Sequence, residues 1–429
     1  MIYTIYEYQD TKFYKNINNK NINKNINKNK HNNLKFQRNY STNINKVDTK
    51  FFDWLRGFVD GEGTWYISKK GNAFVFSFQI HLHIYDKPLL DFICKTLGVG
   101  KVYIDNKSCI YMVSKLEEIK IIIDIFSKNP LNTTKYLNFL DFKEAFELYT
   151  TSKITKDFSD KIINLKNGMN SKRIDFKMPD NYKPLITSNW LLGFIEGEGS
   201  FSVKRTSQRF ELSFWLSQSV TDEKLMDAIK DFLNNLANGQ DVTKKSISET
   251  KNIKHKSFVK LTISDKEFIN NIFIEFLASL NWYSKKELDF KDWVSIIKLK
   301  EKGHHYQEEG LKVLNTIINQ MNNYRLSNID INREQLLKDI ETILNGPSNY
   351  EIIDGRKFIK SLNKFAIEGK KMNVQLQDEN GNIIKIFDSY ADCAEFLNIS
   401  RTLVYNRVTK KKLFIFNNKN VILSLVKKE

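Results

Sequence analysis

The stretch "WLRGFVDGEG" (residues 54–63) recurs as "WLLGFIEGEG" (residues 190–199), 190 − 54 = 136 residues further along the chain. Seven of the ten aligned positions are identical, and two others exchange Val for Ile and Asp for Glu. Each copy is an apolar run that ends in a carboxylate between two glycines. A repeat of this kind predicts two copies of one structural unit.

The similarity extends well beyond these ten residues. "FSFQIHLHIYDKPLLDFICKTL" (76–97) aligns without gaps with "LSFWLSQSVTDEKLMDAIKDFL" (212–233), and both read as an alternating strand followed by a helix. "YMVSKLEEIKIIIDIF" (111–126) aligns with "LTISDKEFINNIFIEF" (261–276), a strand and a further helix. Each half is therefore predicted to follow the order α-β-β-α-β-β-α-α, which makes the chain an α/β (α+β) protein with two pseudo-symmetric halves.

Two aspartates occupy equivalent places in these alignments. Asp86 and Asp222 each stand between the strand and the helix. Aspartate is a preferred N-cap residue, because its carboxylate accepts hydrogen bonds from the free N–H groups of the first turn. We predict that both side chains cap the helices that follow them.

Composition, the repeat and the positions of Gly and Pro residues predict five segments. These are a disordered Asn/Lys-rich tail (1–47), a first repeat (48–149), a polar linker (150–187), a second repeat (188–345) and a C-terminal module (346–429). The tail is low in core-forming side chains, which favours disorder. The "NGPS" stretch marks the start of the C-terminal module. That module contains a hairpin around Asn380-Gly381 and two short capped helices, a pattern typical of helix-turn-helix domains.

The overall charge points to an anionic partner. The 429 residues carry a net charge of +17 and a pI near 9.4, which favours nucleic acid or an anionic membrane. No uncharged apolar run approaches the roughly 18 residues of a membrane span, so we expect no membrane association. Abundant Lys, Asn and Ile also indicate A+T-rich codons, and this bias weakens net charge as evidence for DNA binding.

The repeated stretch has features of a helix–helix interface. Leu55, Phe58 and Val59 have helical spacing, and Gly57 and Gly61 leave a notch on neighbouring turns. A second copy of the same helix is the obvious partner for that notch. Two such helices would bring their C-terminal ends together.

The glutamates of the two copies, Glu62 and Glu198, would then converge where the helix dipole is already negative. Asp60 and Glu196 are expected to add further negative charge at the same place. A bound divalent cation would resolve this repulsion. The alternative is that each GEG is a glycine-rich helix stop with an exposed acid, but that alternative does not explain why both copies keep the same acid.

These two motifs resemble the paired signatures of double-motif LAGLIDADG homing endonucleases, and the resemblance covers about residues 48–345. It implies that the signature helices form the interface between the halves. It also implies that Glu62 and Glu198 bind catalytic Mg²⁺ (or Mn²⁺), with backbone carbonyls of Gly61 and Gly197 as further ligands. Both signatures depart from the more common Asp by using Glu, which also coordinates hard cations.

The same resemblance implies a lysine at the start of the helix that follows each half's last strand. The best matches are Lys135 in "NTTKYLNF" and Lys286 in "YSKKELDF", with Lys285 as an alternative. Such a lysine could polarise the attacking water or stabilise the transition state, although a lysine that only contacts phosphate fits nearly as well. Gln218 matches a polar position that orders metal-bound water, and the first half has Leu82 there.

The exposed faces of the first two strands in each half are expected to read base edges in the major groove, as the resemblance implies. A solvated sheet face is the alternative. The candidates in the first half are Tyr66, Ser68, Lys70, Ser77, Gln79, His81 and His83. Those in the second half are Ser202, Lys204, Thr206, Ser213, Trp215 and Ser217. Because the two sets differ, we expect an asymmetric target.

The C-terminal segment resembles the small DNA-binding modules appended to intron-encoded nucleases. Candidate contacts on or after its second helix are Arg401, Tyr405, Arg407 and Lys410–Lys412. A solvated charged helix is the alternative for these residues.

The sequence thus predicts a monomeric, site-specific double-strand DNA endonuclease that hydrolyses one phosphodiester in each strand and promotes intron mobility. Alternatives are a maturase that binds group I intron RNA and a non-catalytic DNA-binding regulator. Composition and family favour a mitochondrial protein of a fungus. The start of the chain contains Glu7 and Asp10 and no arginine, which is a poor transit peptide, so we expect synthesis inside the mitochondrion.

Overall fold

The computed structural model describes residues 48–151, 155–206, 209–248, 257–322, 324–327, 332–366, 373–411, 413–417 and 419–426. The predicted disordered tail, residues 1–47, lies outside these ranges, as does Lys412.

The first repeat has the predicted order of elements. Its elements are α1 (Thr49–Glu62), β1 (Gly63–Lys70), β2 (Ala73–His83), α2 (Lys87–Leu97), β3 (Lys101–Asp105), β4 (Ser108–Val113), α3 (Leu116–Lys128) and α4 (Lys135–Thr151). The predicted linker is more than a connection, because it contains α5 (Lys156–Asn167) and places Ile162 in the hydrophobic core of this repeat.

The second repeat follows the same order, as predicted. Its elements are α6 (Ser188–Glu198), β5 (Ser200–Thr206), β6 (Arg209–Ser219), α7 (Glu223–Leu236), β7 (Thr243–Ser248), β8 (Phe258–Ile263), α8 (Lys266–Phe268), a π-helical segment (Ile269–Phe273), α9 (Ile274–Ala278) and α10 (Lys286–Glu301). Three helices follow: α11 (Glu308–Ile318), α12 (Tyr324–Ser327) and α13 (Arg333–Asn345). Of these, α11 and α13 extend the core of the repeat.

Each repeat contains one antiparallel four-stranded sheet. The strand orders are β1-β2-β4-β3 and β5-β6-β8-β7, so the two sheets have equivalent topology. One face of each sheet packs on helices. Apolar residues that alternate along the strands are buried on this face, in β2 at Phe74, Phe76, Phe78 and Ile80, and in β6 at Phe210, Phe214 and Leu216.

Helices α1 and α6 pack against each other at the seam between the repeats, and the predicted glycine notch explains how closely they approach. A Cβ atom added at Gly57 would lie 2.0 Å from the Trp190 carbonyl oxygen, and one added at Gly193 would lie 2.0 Å from the Trp54 carbonyl oxygen. Only glycine fits at either position, because any side chain would collide with backbone. The two helices therefore contact each other backbone to backbone.

The sequence does not anticipate a three-stranded sheet that follows the second repeat. It consists of β9 (Tyr350–Ile353), β10 (Arg356–Ile359) and β11 (Lys364–Phe365). Asn349 is buried just before it, donating from its backbone N–H to the Lys302 carbonyl (2.8 Å) and from Nδ2 to the Gly303 carbonyl (2.9 Å). These two hydrogen bonds attach the segment to the residues that follow α10.

The terminal module has its own small core. Its elements are β12 (Val374–Asp378), β13 (Ile383–Phe387), α14 (Tyr390–Leu397), α15 (Arg401–Lys410), β14 (Phe414–Phe416) and β15 (Lys419–Leu425). The hairpin and both helices match the sequence pattern, and Ser389 and Ser400 cap the helices as expected. The pattern does not predict the last two strands, which complete a sheet of order β13-β12-β15-β14.

Candidate active site

The C-terminal ends of α1 and α6 bring the two glutamates of the repeated motif together. A Cβ atom added at Gly61 would lie 3.3 Å from Glu198 Cγ, and one added at Gly197 would lie 3.5 Å from Glu62 Cγ. Gly61 and Gly197 themselves are in contact, because a Cβ added to either would lie 3.3 Å from the Cα of the other. The seam therefore places two carboxylates side by side, as the sequence predicts.

The electrostatics of this pair favour a cation. Burial, and to a smaller extent the charge of Glu198, raises the pKa of Glu62 from 4.5 to about 7, and Lys135 and Lys286 oppose this rise. The surroundings of Glu62 therefore disfavour its ionised form at neutral pH. A positive ion placed between the two carboxylates would favour that form.

The donor atoms at the seam fit a hard divalent cation. Carboxylate and carbonyl oxygens are its preferred ligands, and Mg²⁺ is usually held by one or two carboxylates together with phosphate oxygens and water. Within the described ranges, no group of three or more His, Cys, Asp or Glu side chains is arranged to hold a metal. A cation here would therefore depend on Glu62 and Glu198 together with oxygens from the backbone, water or a bound phosphate.

Two lysines begin the helices that approach this seam. Lys135 is the first residue of α4, and its ammonium donates to the carbonyl oxygen of Gly61. Lys286 is the first residue of α10, and its charge acts on Glu62. The resemblance leaves Lys285 as an alternative, but Lys285 has its ammonium 4.8 Å from the ring centre of Tyr85. The geometric counterpart of Lys135 is Lys286.

Asp60 and Glu196 do not add charge at the open end of the seam, so that expectation is wrong. Both side chains are buried, with exposed fractions of 1% and 5%. Asp60 accepts hydrogen bonds from the backbone N–H groups of Asn132 (2.9 Å) and Thr133 (2.8 Å). Glu196 accepts equivalent bonds from Tyr283 (3.0 Å) and Ser284 (2.6 Å). These carboxylates hold the loops that carry the two lysines.

Each of these buried carboxylates also accepts a bond from the other repeat. Trp190 Nε1 donates to Asp60 (2.8 Å), and Trp54 Nε1 donates to Glu196 (3.2 Å). Burial raises the pKa of Glu196 to about 7, although its hydrogen bonds oppose the rise. The signal for this role is present in the sequence, since Trp and the acid recur together in both motifs, but only the folded chain shows which atoms they meet.

Gln218 lies near the end of β6, at a half-buried position with the same parity as the core-facing residues. Leu82 is its counterpart at the end of β2, where it packs against the core of the first repeat. The two repeats therefore differ at this position, as the sequence predicts.

The outer faces of the sheets contain most of the residues predicted to contact DNA. Lys70, His81, Lys204 and Thr206 are exposed, and partly exposed positions are Tyr66, Ser68, Gln79, His83, Ser202, Ser213, Trp215 and Ser217. Ser77 is an exception, because only 2% of its surface is exposed and its hydroxyl accepts a bond from Gln79 Nε2 (2.9 Å). Ser77 thus supports Gln79 and does not itself reach the surface.

Two other side chains on these faces already have intramolecular partners. Lys260 places its ammonium 4.2 Å from the ring centre of Trp215, and burial lowers the pKa of this lysine. His83 Nδ1 accepts a bond from the Tyr85 backbone N–H (3.3 Å).

The candidate residues of the terminal module differ in accessibility. Arg401 and Tyr405 are exposed, and Arg401 pairs with Glu267 of the second repeat at 3.5 Å. Arg407 is half-buried and lies 3.7 Å from the ring centre of Phe414, where burial lowers its pKa. Arg407 therefore has a structural role in packing the module in addition to any contact with a ligand.

Among the helices within the described ranges, none is both long enough and apolar enough to cross a lipid bilayer.

Comparison with known proteins agrees with this architecture. The signature of the family described as LAGLIDADG endonuclease matches residues 55–146 and 191–297, that is, both repeats. The uncharacterised mitochondrial protein RF1 of Saccharomyces cerevisiae is 28% identical over 91% of this chain and 85% of its own length. The probable intron-encoded endonuclease Cox1-I1b of Schizosaccharomyces pombe is 30% identical, and the match covers 57% of this chain and 63% of that protein.

A solved structure has the same fold. The crystal structure of the LAGLIDADG homing endonuclease I-GzeII in complex with its DNA target matches with a TM-score of 0.54 and 28% identity. The match covers 64% of this chain and 99% of that one.

Proposed function

We propose that this chain, whose two repeats belong to the LAGLIDADG endonuclease family, is a site-specific endonuclease which cuts both strands of a DNA duplex. The observation that carries the proposal is the pair Glu62 and Glu198 at the seam between two homologous repeats. Each glutamate ends the signature helix of its repeat, and each repeat also supplies one lysine. One set of groups is thus available for each strand.

Glu62 and Glu198 would hold Mg²⁺ or Mn²⁺, with the carbonyls of Gly61 and Gly197 as candidate further ligands. Such an ion, when bound, activates water and neutralises charge on the leaving oxygen. Lys135 and Lys286 would place an ammonium beside the scissile phosphate, where it stabilises the negative charge that develops in the transition state. Gln218 would orient water in one of the two sites only.

The sheets would position the DNA. Their outer faces carry Lys70 and His81 in one repeat and Lys204 and Thr206 in the other, all exposed. The two faces present different side chains, so we propose an asymmetric target that is read mainly in the major groove. Because one chain contains both repeats, we propose that the protein acts as a monomer. The names of its relatives support a mitochondrial protein encoded in an intron.

A plasmid assay tests the function. A supercoiled plasmid carries the exon junction without the intron that contains this reading frame, and the matched control carries the same junction interrupted by the intron. With Mg²⁺, the protein should linearise only the uninterrupted plasmid, and EDTA should abolish the reaction. Folded protein that cuts neither plasmid with Mg²⁺ or Mn²⁺ would contradict the proposal. If it instead binds the intron RNA and promotes splicing, the maturase function replaces it.

A further inference from the structure

Asp86 and Asp222 occupy the N-cap positions of α2 and α7, but neither side chain caps its helix. The prediction that they cap these helices is therefore wrong. Asp222 instead accepts hydrogen bonds from the backbone N–H (2.6 Å) and the hydroxyl (3.1 Å) of Thr134. Asp86 accepts a bond from the backbone N–H of Lys285 (3.4 Å).

Both bonds cross from one repeat to the other. Asp222 belongs to the second repeat and holds Thr134 of the first, whereas Asp86 belongs to the first repeat and holds Lys285 of the second. Thr134 and Lys285 are equivalent residues, since each immediately precedes the lysine at the start of α4 or α10. The same interaction thus occurs twice, once in each direction across the seam.

Each lysine loop is consequently held from two sides. The loop before Lys135 is bound by Asp60 of its own repeat, through Thr133, and by Asp222 of the opposite repeat, through Thr134. The loop before Lys286 is bound in the same way by Glu196 and Asp86. Adjacent residues of one loop therefore contact both repeats, so a shift at the seam would move the lysine.

These carboxylates are unfavourable to bury, which argues against an incidental contact. Asp222 is only 7% exposed, and a buried carboxylate is tolerated only where hydrogen bonds compensate the loss of water. Burial raises the pKa of Asp222 to about 6 even though the two bonds from Thr134, the largest opposing effects, act to lower it. Neither oxygen caps the helix that Asp222 precedes.

We propose that Asp222 and Asp86 are positioning residues which tie the lysine of each repeat to the opposite repeat, so that cutting of each strand depends on the seam. This inference rests on the proposed endonuclease function and on the proposed role of the two lysines.

The two interactions across the seam, of Asp222 with Thr134 and of Asp86 with Lys285, differ in strength. Asp222 receives two bonds in a buried setting, whereas Asp86 is half-buried and receives one longer bond. Loss of Asp222 should therefore have the larger effect.

The test measures the two strands separately in the full-length protein. The probe is a duplex recovered from a randomised library by binding to the native protein in Ca²⁺, with a different dye on each strand. Single-turnover cutting in Mg²⁺ is followed on denaturing gels. Lys135→Ala identifies the strand that depends on Lys135. Asp222→Ala should slow that same strand about tenfold or more, as loss of an orienting partner typically does, with the other strand and the Kd in Ca²⁺ changed less than about twofold.

Two further variants separate positioning from folding. Asp222→Asn keeps an acceptor for the Thr134 N–H and should restore most of the rate. Asp86→Ala should slow the opposite strand, by a smaller factor. Asp231→Ala, which removes an exposed carboxylate from the same helix as a matched control, should change neither strand.

The outcomes distinguish this inference from the function on which it rests. Native protein that cuts neither strand overturns the endonuclease function and the inference with it. If the native protein cuts both strands, but Asp222→Ala leaves both rates unchanged or slows both equally, the endonuclease stands and the positioning role is overturned. Failure of Asp222→Asn to recover the rate lost in Asp222→Ala would also overturn it.

Discussion

At the scale of single residues, the motif "GEG" combines two opposite requirements. The glycines let two helix ends meet, with Gly61 and Gly197 in contact, while the glutamates resist that meeting because their charges repel. Burial, the largest cause, and the charge of Glu198 together raise the pKa of Glu62 to about 7, although Lys135 and Lys286 oppose the rise. A positively charged ligand would stabilise both ionised glutamates at the seam.

Replacing either glutamate by glutamine should separate binding from cutting. Glu62→Gln and Glu198→Gln each remove a charge that would hold the metal while keeping the size of the side chain. Double-strand cutting of a plasmid target should fall about 100-fold or more, whereas the Kd for the same DNA in Ca²⁺ should change little. Glu117→Gln, at an exposed position on α3, is the matched control. Full double-strand cutting by either seam variant would refute the assignment of that glutamate.

The raised pKa of Glu62 predicts how stability depends on pH. A carboxyl whose pKa is higher in the folded chain than its ordinary 4.5 contributes stability that is fully present below that value and lost as the pH rises through about 7. In EDTA, the Tm should therefore fall between about pH 5 and about pH 8. Ca²⁺ should reverse part of this fall, because it stabilises the ionised carboxylates.

Scanning calorimetry at several pH values tests this dependence. The gain in Tm from Ca²⁺ should be small at low pH and should grow as the pH rises through about 7, and Glu62→Gln should reduce it while Glu117→Gln should not. Burial also raises the pKa of Glu196 to about 7. Glu196 therefore contributes to the fall in Tm with rising pH, and Ca²⁺ should not reverse that contribution. A Ca²⁺ effect that is independent of pH would argue against a cation at Glu62.

At the scale of elements, the contact of α1 with α6 decides the geometry of the site. Gly57 and Gly193 meet the backbone of the partner helix, so the separation of the helices is set by main-chain atoms. That separation in turn fixes where Glu62 and Glu198 lie relative to each other. A change at the notch should therefore affect both strands at once.

Gly57→Ala should destabilise the protein and slow both strands equally. Its Cβ would lie 2.0 Å from the Trp190 carbonyl oxygen, and backbone cannot move aside as a flexible side chain can. We expect a loss of about 3 kcal/mol in the free energy of unfolding, measured by chemical denaturation. Gly168→Ala is the matched control, because its Cβ would have no neighbour closer than 3.4 Å. Equal stability of the two variants would show that the helices can separate without cost.

The strand β5 provides a test of sequence readout. Lys204 is exposed on the outer face of its sheet, with only a weak pairing to Glu211 at 4.0 Å, so its ammonium is available to bases or phosphates. Lys204→Ala should relax the bases tolerated at a few adjacent target positions and leave cutting intact. Selection from a randomised library measures this, with Lys120→Ala, an exposed lysine of α3, as control. Identical target profiles for native and Lys204→Ala protein would count against readout by this face.

At the scale of the whole molecule, the connection between the second repeat and the terminal module divides into two parts. Residues 350–365 are attached to the repeat at the end of α10, because Asn349 donates to the Gly303 carbonyl and the Tyr350 ring lies against Gly303. The core of the terminal module begins only at Val374. A functional boundary should therefore lie after the small sheet and not at the Gly-Pro break.

Two truncations test this boundary. A chain that ends at Ala366 should keep its Tm within a few degrees and cut the same bond, but bind with a shorter footprint and a shallower dependence on salt, because phosphate contacts are lost. A chain that ends at Asn345 should lose stability as well, since Gly303 would lose the Asn349 bond and the Tyr350 ring that covers it. An unchanged footprint for the longer truncation would exclude a DNA-binding role for the terminal module.

The repeated motif and the periodic spacing of apolar residues can be identified from the amino-acid sequence alone. The duplicated motif predicts two repeats, the helical spacing with Gly57 predicts the seam, and alternation predicts which face of each sheet is buried. The hairpin at Asn380-Gly381 and its two capped helices follow from local turn and cap chemistry. Each of these features depends on interactions between neighbours in the chain or on a second copy of the same pattern.

The hydrogen-bond partners of the four other carboxylates near the seam depend instead on how the two repeats pack. The sequence places Asp60 and Glu196 as additional charge at the seam and Asp86 and Asp222 as helix caps, yet all four hold the loops in front of Lys135 and Lys286. The partners of Asp222 and Asp86 are 88 and 199 residues away. No local preference specifies such a pairing, because a buried carboxylate binds whichever N–H groups the packing of the two repeats brings to it.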